Sequence, residues 1–190
     1  MVKFVVFVAI VGVISASPLL SSVNSYAVVP LTWHGINQTD GSEVTIIGTI
    51  QGNLQHVRLL DESVKWTMPP VRRLIAPRSK NKNIVCWQGG NGLANNYFLQ
   101  QGIDYLKGIT DRPCTASPGP KVCTRISCSD GAGIWLCNDT PVEIHYSCPD
   151  LATYAEDIRA KCHTEGKEIL VRGKEYDTLN FHVDVGGDDC

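Results

Sequence analysis

Residues 121–139 read KVCTRISCSDGAGIWLCND, and they decide the fold because they predict a β-hairpin that carries three of the cysteines. Apolar and polar residues alternate on both sides of Asp130-Gly131. That dipeptide is typical of two-residue hairpin turns, in which both central residues need positive φ. With the turn there, Thr124 faces Cys137. Cys123 then lies one residue off register from Cys137, within reach of a disulfide.

Residues 1–22 have the features of a secretory signal peptide. Lys3 supplies the positive charge, and the apolar run Phe4–Ile14 has about the length of a signal core. It is shorter than the roughly 20 apolar residues of a membrane span. Cleavage after Ala16 or after Ala27 fits the small residues that follow. We therefore expect a secreted, extracellular product without a membrane anchor.

The cysteines indicate a disulfide framework rather than a metal site. All eight lie in the C-terminal part of the chain, and an even number in an exported protein predicts four disulfides. No C-x-x-C occurs, and no histidine pair stands near Cys123 and Cys128 to complete a zinc site. Neither a metal nor another cofactor is expected. The eight positions are Cys86, Cys114, Cys123, Cys128, Cys137, Cys148, Cys162 and Cys190.

Residues 23–73 form a cysteine-free unit that precedes the disulfide-rich part. Leu31–Gly35 and Val44–Ile50 are rich in β-branched and aromatic residues and predict strands. Asn37 between them begins a glycosylation sequon, Asn-Gln-Thr. So short a unit without cysteines is not expected to fold alone.

A dibasic pair, Arg72-Arg73, follows this unit and predicts a processing site. The two prolines Pro69-Pro70 keep the preceding segment extended and exposed, which suits a protease of the secretory pathway. The interpretation is a pro-region over residues 23–73 and a disulfide-rich domain over residues 74–190. The alternative is that both arginines lie on a solvated linker and are never cleaved.

The part after residue 74 predicts an α+β fold. Asn95 or Asn96 begins a helix that runs to Lys107, with Gly102 on the face that approaches the sheet closely. A capping box at Ser147 begins a second helix, which ends near Cys162. This order of elements favours an antiparallel sheet with two helices on one face. Besides the hairpin, strands are expected at Asn83–Trp87, Val142–Tyr146, Glu168–Arg172 and Leu179–Val185.

This order of elements resembles the split β-α-β sandwich of fungal killer toxins that block calcium channels. The residues that carry the resemblance are Ile84-x-Cys86, Arg125-Ile126-Ser127-Cys128, Gly133-Ile134-Trp135, Leu151–Cys162, Leu179-x-Phe181-x-Val183 and Cys190. In those toxins a basic residue on an exposed loop carries the activity, and Lys121 and Arg125 are the nearest positions here, although neither matches it clearly.

The whole chain also resembles a group of uncharacterised fungal small secreted cysteine-rich proteins. The matching segments are Leu31-Thr32-Trp33, Gly48-Thr49-Ile50, Gly102-Ile103-Asp104-Tyr105-Leu106, Ser127-Cys128-Ser129, Ile134–Asp139 and Asp177-Thr178-x-Asn180-Phe181-x-Val183. This second resemblance covers nearly the entire chain and implies a secreted effector.

Eight cysteines allow 105 pairings, of which one is favoured. The hairpin register indicates Cys123–Cys137, and the inward face of the second helix with the first strand indicates Cys86–Cys162. A bond between Cys128 and Cys190 would tie the last strand beside the hairpin, as the toxin resemblance also implies. Cys114–Cys148 then remains.

Charge argues against nucleic acid as a partner. The whole chain has a net charge of −2, and residues 74–190 contain 12 basic and 15 acidic residues without a basic stripe. A second sequon begins at Asn138, although Pro141 directly after it lowers the chance that it is used.

The case for an enzyme is a secreted hydrolase of the small ribonuclease type that uses a histidine and a glutamate. Its general acid and base would come from two strand pairs, Glu143 with His145 and His182 with Asp184, if those strands were neighbours. The remaining candidates are His163, Asp177 and Arg125. Any half-covered sheet shows such alternating polar residues on its solvent face, and no hydrolase motif is present, so the catalytic interpretation is not favoured.

We therefore expect a non-catalytic monomer, a secreted effector or killer-toxin-like protein. It would act by binding a protein or membrane target of a host or competitor.

Overall fold

The computed structural model describes residues 22–23, 25–48, 63–66, 80–110 and 112–190. Almost all of the signal peptide and the Arg72-Arg73 pair lie outside these residues, so both expectations stay predictions. The strands before the first helix are β1 (Ser22–Val23), β2 (Tyr26–Val29), β3 (Thr32–Asn37), β4 (Glu43–Ile47), β5 (Val64–Trp66), β6 (Lys80–Cys86) and β7 (Ala94–Asn95). Helix α1 (Asn96–Gly108) is followed by β8 (Pro113–Ala116), β9 (Val122–Ser129), β10 (Ala132–Asn138) and β11 (Ile144–Ser147). Helix α2 (Cys148–Lys161) precedes β12 (Leu170–Val171), β13 (Gly173–Asp177) and β14 (Phe181–Gly187).

The predicted hairpin is present as β9 and β10, with a turn at Asp130-Gly131. Both turn residues have positive φ, 39° and 81° respectively, as a two-residue hairpin turn requires. The expected register is wrong beyond the first three pairs, because a β-bulge shifts it between Ile134 and Trp135. Cys137 therefore lies directly opposite Cys123, and Thr124 lies opposite Leu136.

A seven-stranded sheet forms the centre of the structure, in the order β1-β2-β9-β10-β14-β13-β6. Every pairing in it is antiparallel except that of β2 with β9, which is parallel. The other described strands form three smaller sheets, β11-β8, β12-β7 and β4-β3-β5. The prediction of a disulfide-bonded α+β fold with a mostly antiparallel sheet is confirmed at this level.

Both helices pack on the same face of the central sheet. Helix α1 contacts β9 and β10, and α2 contacts β6, β13 and β14. Gly102 allows the close approach that was expected, since a Cβ at this position would lie 2.6 Å from Ser127 Oγ on β9. Apolar side chains from both helices fill the core, including Leu99, Ile103, Leu106, Leu151, Tyr154 and Ile158.

The helix boundaries follow from capping. Asn95 Oδ1 accepts a hydrogen bond from Tyr97 N (2.9 Å), and Ser147 Oγ accepts one from Asp150 N (3.4 Å). The two residues thus satisfy amides that the first turns leave without a partner.

Four disulfides cross-link the C-terminal part of the chain, and their pairing is the one favoured above. Bonds of this type typically stabilise a fold by about 2–4 kcal/mol each. The pairs are Cys86–Cys162, Cys114–Cys148, Cys123–Cys137 and Cys128–Cys190, and no described cysteine is free.

Two strand predictions need correction. The strand expected at Val142–Tyr146 is β11, and it pairs with β8 outside the central sheet. The strand expected at Glu168–Arg172 contributes only the short β12, while the central sheet takes the next segment, β13. The first residue of β13 is Gly173, and its missing side chain allows the end of α2 to lie close to the strand. A Cβ at this position would be 2.9 Å from Cys162 Sγ.

The cysteine-free N-terminal unit packs against the disulfide-rich part. Strands β1 and β2 extend the central sheet, and β3 and β4 correspond to the strands predicted near Trp33 and Ile46. Leu31, Trp33 and Ile46 are buried and belong to the same core cluster as the helices. The change in composition near residue 73 is therefore not a boundary in the packing.

Candidate functional site

A polar cluster occupies the face of the central sheet that points away from the helices. Side chains alternate between the two faces of a strand, so apolar residues of β10 and β14 point to the helices and their neighbours point to the opposite side. The strand register brings together on this side Trp135 and Cys137 of β10, Lys174 and Tyr176 of β13, and His182 and Asp184 of β14.

His182 lies between two carboxylates. Its Nδ1 is 3.3 Å from Asp139 Oδ2, and its Nε2 is 3.3 Å from Asp184 Oδ1. Lys174 Nζ lies 3.8 Å from Asp184 Oδ2 and supplies a positive charge. The side chains of His182, Asp184 and Lys174 are 0%, 1% and 6% exposed, so the cluster is buried although it stands on the face opposite α1 and α2. The expectation of a solvent-exposed face is therefore wrong for these residues.

Two tyrosines cover the cluster. The ring of Tyr26 meets the His182 ring edge-on at a centroid distance of 5.1 Å, and the Tyr176 ring lies at 5.0 Å. Tyr26 also donates a hydrogen bond from its hydroxyl to Asp139 Oδ1 (3.0 Å). Lys174 Nζ is 5.9 Å from the centre of each tyrosine ring. Because Tyr26 belongs to β2, the N-terminal unit supplies part of this cover.

Burial controls the protonation of the covered groups. It lowers the pKa of His182, although the carboxylates of Asp184 and Asp139 act in the opposite direction. Burial also raises the pKa of Tyr26, and the hydrogen bond to Asp139 raises it further. Tyr26 is thus a protonated donor at neutral pH, and Lys174 provides the positive charge beside the two carboxylates.

The cluster is not suited to a metal ion. Cys137, His182 and Asp184 are the described residues whose ligand atoms lie within 4.8 Å of one another. Cys137 Sγ is bonded to Cys123 and offers no thiolate. The ammonium group of Lys174 beside Asp184 already provides the charge that a cation would bring.

The two pairs of residues proposed for a hydrolase lie on strands that are not neighbours. Glu143 Oε1 and His145 Nε2 are 3.0 Å apart, but β11, which carries them, pairs with β8 in a separate sheet. His182 and Asp184 lie on β14, whose neighbours are β10 and β13. The hypothesis of a four-residue site is therefore wrong in its geometry, because β11 leaves the central sheet.

The remaining sequence candidates bind neighbouring parts of the fold. Arg125 Nη1 lies 2.5 Å from Asp188 Oδ2 and holds the C-terminal segment. Asp177 Oδ2 accepts a hydrogen bond from the Tyr154 hydroxyl in the core (2.5 Å). Lys121, the other basic candidate, accepts a hydrogen bond at its backbone oxygen from Ala27 N (3.0 Å).

The residues that the sequence did not single out are Tyr26, Asp139, Lys174 and Tyr176. The alternation of Lys174 with Tyr176 is readable as one face of a strand, but their proximity to His182 depends on the pairing of β13 with β14. No sequence pattern identifies Tyr26 as a site residue. It lies next to Ala27, one of the two predicted cleavage points of the signal peptide.

The two predicted glycosylation asparagines lie in different environments. Asn138 is fully buried, and its Nδ2 donates hydrogen bonds to Ser117 O (2.9 Å) and Val142 O (2.7 Å). The folded structure leaves no room for a glycan on this nitrogen. Asn37 is the last residue of β3, and its Oδ1 accepts a hydrogen bond from Thr39 N in the turn that follows (2.9 Å).

Four exposed apolar residues lie on the segments that flank the short β7–β12 ladder. We call Trp87, Leu93, Tyr97 and Ile169 the aromatic patch; Trp87 and Tyr97 are 51% and 65% exposed. Backbone hydrogen bonds hold the segments that carry three of these residues, since Trp87 N donates to Arg172 O (2.9 Å) and Asn96 N, next to Tyr97, donates to Ile169 O (3.0 Å). The patch thus rests on a backbone frame and not on a single loop.

Trp87 has an unusual backbone conformation. Its φ is 64°, which is rare for a bulky residue and costs free energy. The residue before it, Cys86, is fixed to α2 by the disulfide with Cys162. The structure therefore holds a large apolar side chain in the solvent, in a conformation that it would not adopt without this support.

An open cleft lies beside the patch, between the start of α1 and the end of α2. It is lined by Asn96, Arg159, Ala160, His163 and Ile169. Arg159 Nε donates a hydrogen bond to Asn96 Oδ1 (2.7 Å), which fixes the guanidinium at the rim. Arg159 gives the surface a cationic group next to its apolar residues.

Among the described residues, no helix has the length and apolar character needed to cross a membrane. No protein-family model matches the chain, and no curated protein and no solved structure matches it either.

Proposed function

We propose that this protein is a secreted, disulfide-stabilised effector or killer-toxin-like protein that acts by binding a protein of a host or competitor. Four disulfides fit a small secreted protein, because such bonds persist in oxidising compartments. The proposal includes a pro-form that is cut at Arg72-Arg73. The resemblance to the split β-α-β toxins supports it through the two helices on one face of a mostly antiparallel sheet.

The aromatic patch is the observation that carries this proposal. Tryptophan and tyrosine dominate the binding energy of many protein interfaces, and exposed apolar patches on secreted proteins often mark such interfaces. Here Trp87 is exposed directly after Cys86, and the Cys86–Cys162 disulfide restrains its backbone before any partner binds. Preorganisation of this kind lowers the entropic cost of binding.

Substitution of the patch tests the proposal. We expect the double variant Trp87→Ala, Tyr97→Ala to lose at least about tenfold in growth inhibition or in binding to an identified target, since two anchors of this type contribute well above 1.4 kcal/mol. The matched control is Val142→Ala, Leu179→Ala, which removes exposed apolar side chains elsewhere. Full potency of the patch variant, or loss in both variants alike, would contradict recognition through the aromatic patch.

A secreted hydrolase is the second candidate, favoured only by the contact of Glu143 with His145. Both side chains reach the surface, with 52% and 18% exposure, whereas His182 is fully buried. Hydrolysis of RNA or polysaccharide by the purified protein, lost in Glu143→Ala, His145→Ala and kept in the patch variant, would overturn the binding proposal.

A further inference from the structure

Strand β2 occupies a position that has the properties of a peptide-binding site. Its residues pair in parallel with the edge of β9, at Ala27↔Val122, Val28↔Cys123 and Val29↔Thr124. An extended segment that adds to a sheet edge gains main-chain hydrogen bonds whatever its sequence. We call the edge of β9 and the surface under Tyr26 and Val28 the strand seat.

Two side chains of β2, Tyr26 and Val28, enter neighbouring slots of the strand seat. Both pack against the apolar group formed by Trp135 and the Cys123–Cys137 disulfide. Tyr26 covers His182 and donates its hydroxyl proton to Asp139 Oδ1. The seat therefore takes an aromatic donor at one position and an aliphatic side chain two residues later.

The strand seat is held more firmly than its occupant. All four residues of β2 are only partly buried, and the N-terminal unit has no cysteine. The seat itself is made of buried residues of β10 and β14 and is cross-linked by Cys123–Cys137. Edge elements with few buried contacts open at low free energy, while a cross-linked sheet beneath them stays formed.

The polar groups of the strand seat are compatible with detachment of β2. The surface under Tyr26 includes polar groups, with His182 and Asp139 in contact and Lys174 nearby. Water can hydrate these groups when β2 leaves, and an incoming extended segment would cover the apolar group of Trp135 and the disulfide again. The carboxylate of Asp139 selects for a hydrogen-bond donor and against an acidic side chain.

We infer that the strand seat is a recognition site for an extended segment of a partner protein, which replaces residues 26–29. The segment would run parallel to β9 and carry a tyrosine followed two residues later by an aliphatic residue. This inference rests on the proposed function, in which the protein acts by binding another protein.

A peptide-binding experiment on the full chain tests the inference without any knowledge of the target. The variant Tyr26→Ala, Val28→Ala vacates both slots, and a labelled peptide with the sequence of residues 22–30 is the probe. We expect fluorescence anisotropy to show binding to this variant and at least about tenfold weaker binding to the wild-type chain, whose own strand competes for the seat. The same peptide with glutamate in place of tyrosine should not bind.

The matched control is Ile36→Ala, Ile47→Ala, which removes exposed side chains of the N-terminal unit and leaves β2 intact. This control should bind the labelled peptide as weakly as the wild-type chain does. Equal binding to all three proteins, or no binding to a Tyr26→Ala, Val28→Ala variant that retains its disulfides and circular dichroism, would overturn the inference.

If that variant does not fold, hydrogen exchange of the wild-type chain tests whether β2 detaches from the strand seat. The amide of Ala27, which donates to Lys121 O, should exchange at least about a hundredfold faster than the amides of β10. Equal protection in β2 and β10 would show that the seat does not open and would overturn the inference. Neither readout depends on the aromatic patch, so failure here and failure of the proposed function are distinguishable.

Discussion

At the scale of single residues, burial decides the chemistry of several ionisable groups. Glu175 lies on the helix-facing side of β13, and its residue is 2% exposed. Burial raises its pKa to about 7, and the nearby positive charge of Lys80 opposes this shift. Its Oε2 has no hydrogen-bond partner among the described residues. A group of this kind makes the stability of the protein depend on pH.

The variant Glu175→Gln should remove that dependence. The pKa of Glu175 in the folded protein is higher than the ordinary value of 4.5, so the folded state holds the proton more tightly than the unfolded chain. The resulting stabilisation is fully present below about pH 4.5 and is lost as pH rises through about 7. We therefore expect the unfolding free energy of Glu175→Gln, relative to wild type, to increase by roughly 2 kcal/mol between pH 5 and pH 8.

Urea unfolding at the two pH values, with the disulfides intact, measures this difference. The control is Glu156→Gln, which removes an exposed glutamate that pairs with Lys107 and should change stability by less than about 0.5 kcal/mol at either pH. A difference for Glu175→Gln that stays constant from pH 5 to pH 8 would show that this carboxyl is not perturbed.

At the scale of elements, close approach of the helices to the sheet sets the architecture. Gly102 and Gly108 both belong to α1, but only Gly102 faces the sheet, where a Cβ would be 2.6 Å from Ser127 Oγ and 3.5 Å from Ile134 Cδ1. In the part of the chain that the structure describes, a Cβ on Gly108 would meet nothing within 4 Å. Substitutions at these two glycines of one helix therefore separate the effect of packing against the sheet from the effect of helix propensity on stability.

Substitution of each glycine by valine tests this difference. Gly102→Val should cost about 2–3 kcal/mol of unfolding free energy, because the helix must move away from β9 or Ser127 must be displaced. Gly108→Val should change it by less than about 1 kcal/mol. Chemical denaturation of both variants provides the measurement, and equal costs would mean that α1 does not approach the sheet as described.

At the scale of the whole molecule, the N-terminal unit and the disulfide-rich part share one core. Leu31 and Trp33 are 1% and 4% exposed, and the guanidinium of Arg112 lies over the Trp33 ring at 5.9 Å. The N-terminal unit contains no cysteine, so a cut at Arg72-Arg73 would leave it without a covalent link to the rest. Apolar contacts and the pairing of β2 with β9 would then be its attachments.

We expect the N-terminal fragment to stay bound after cleavage at the dibasic site. The wild-type chain should migrate as one species in native size-exclusion chromatography and as two in a denaturing gel without reductant. Trp33→Ala should release the fragment, since truncation of a buried tryptophan costs about 3–5 kcal/mol. His34→Ala, at the exposed neighbour on the same strand, should not. Release of the wild-type fragment under native conditions would contradict the prediction.

The sequence by itself determined the local features of this protein. The Asp130-Gly131 turn, a helix cap at Asn95 or Asn96 and the cap at Ser147 are each encoded by a few neighbouring residues, because turns, caps and helix periodicity depend on short-range geometry. Two disulfides also followed, since the hairpin indicates Cys123–Cys137 and the inward face of α2 indicates Cys86–Cys162. The toxin resemblance also implied Cys128–Cys190, and Cys114–Cys148 then remained.

Only the tertiary structure decided which strands are neighbours. The bulge in β9, the departure of β11 from the central sheet and the parallel attachment of β2 depend on contacts between segments far apart in the chain, which no local pattern encodes. These pairings separate Glu143 and His145 from His182, and they place Tyr26 over Asp139. For this reason the cluster around His182 and the strand seat emerged from the fold, although each of their residues was visible in the sequence.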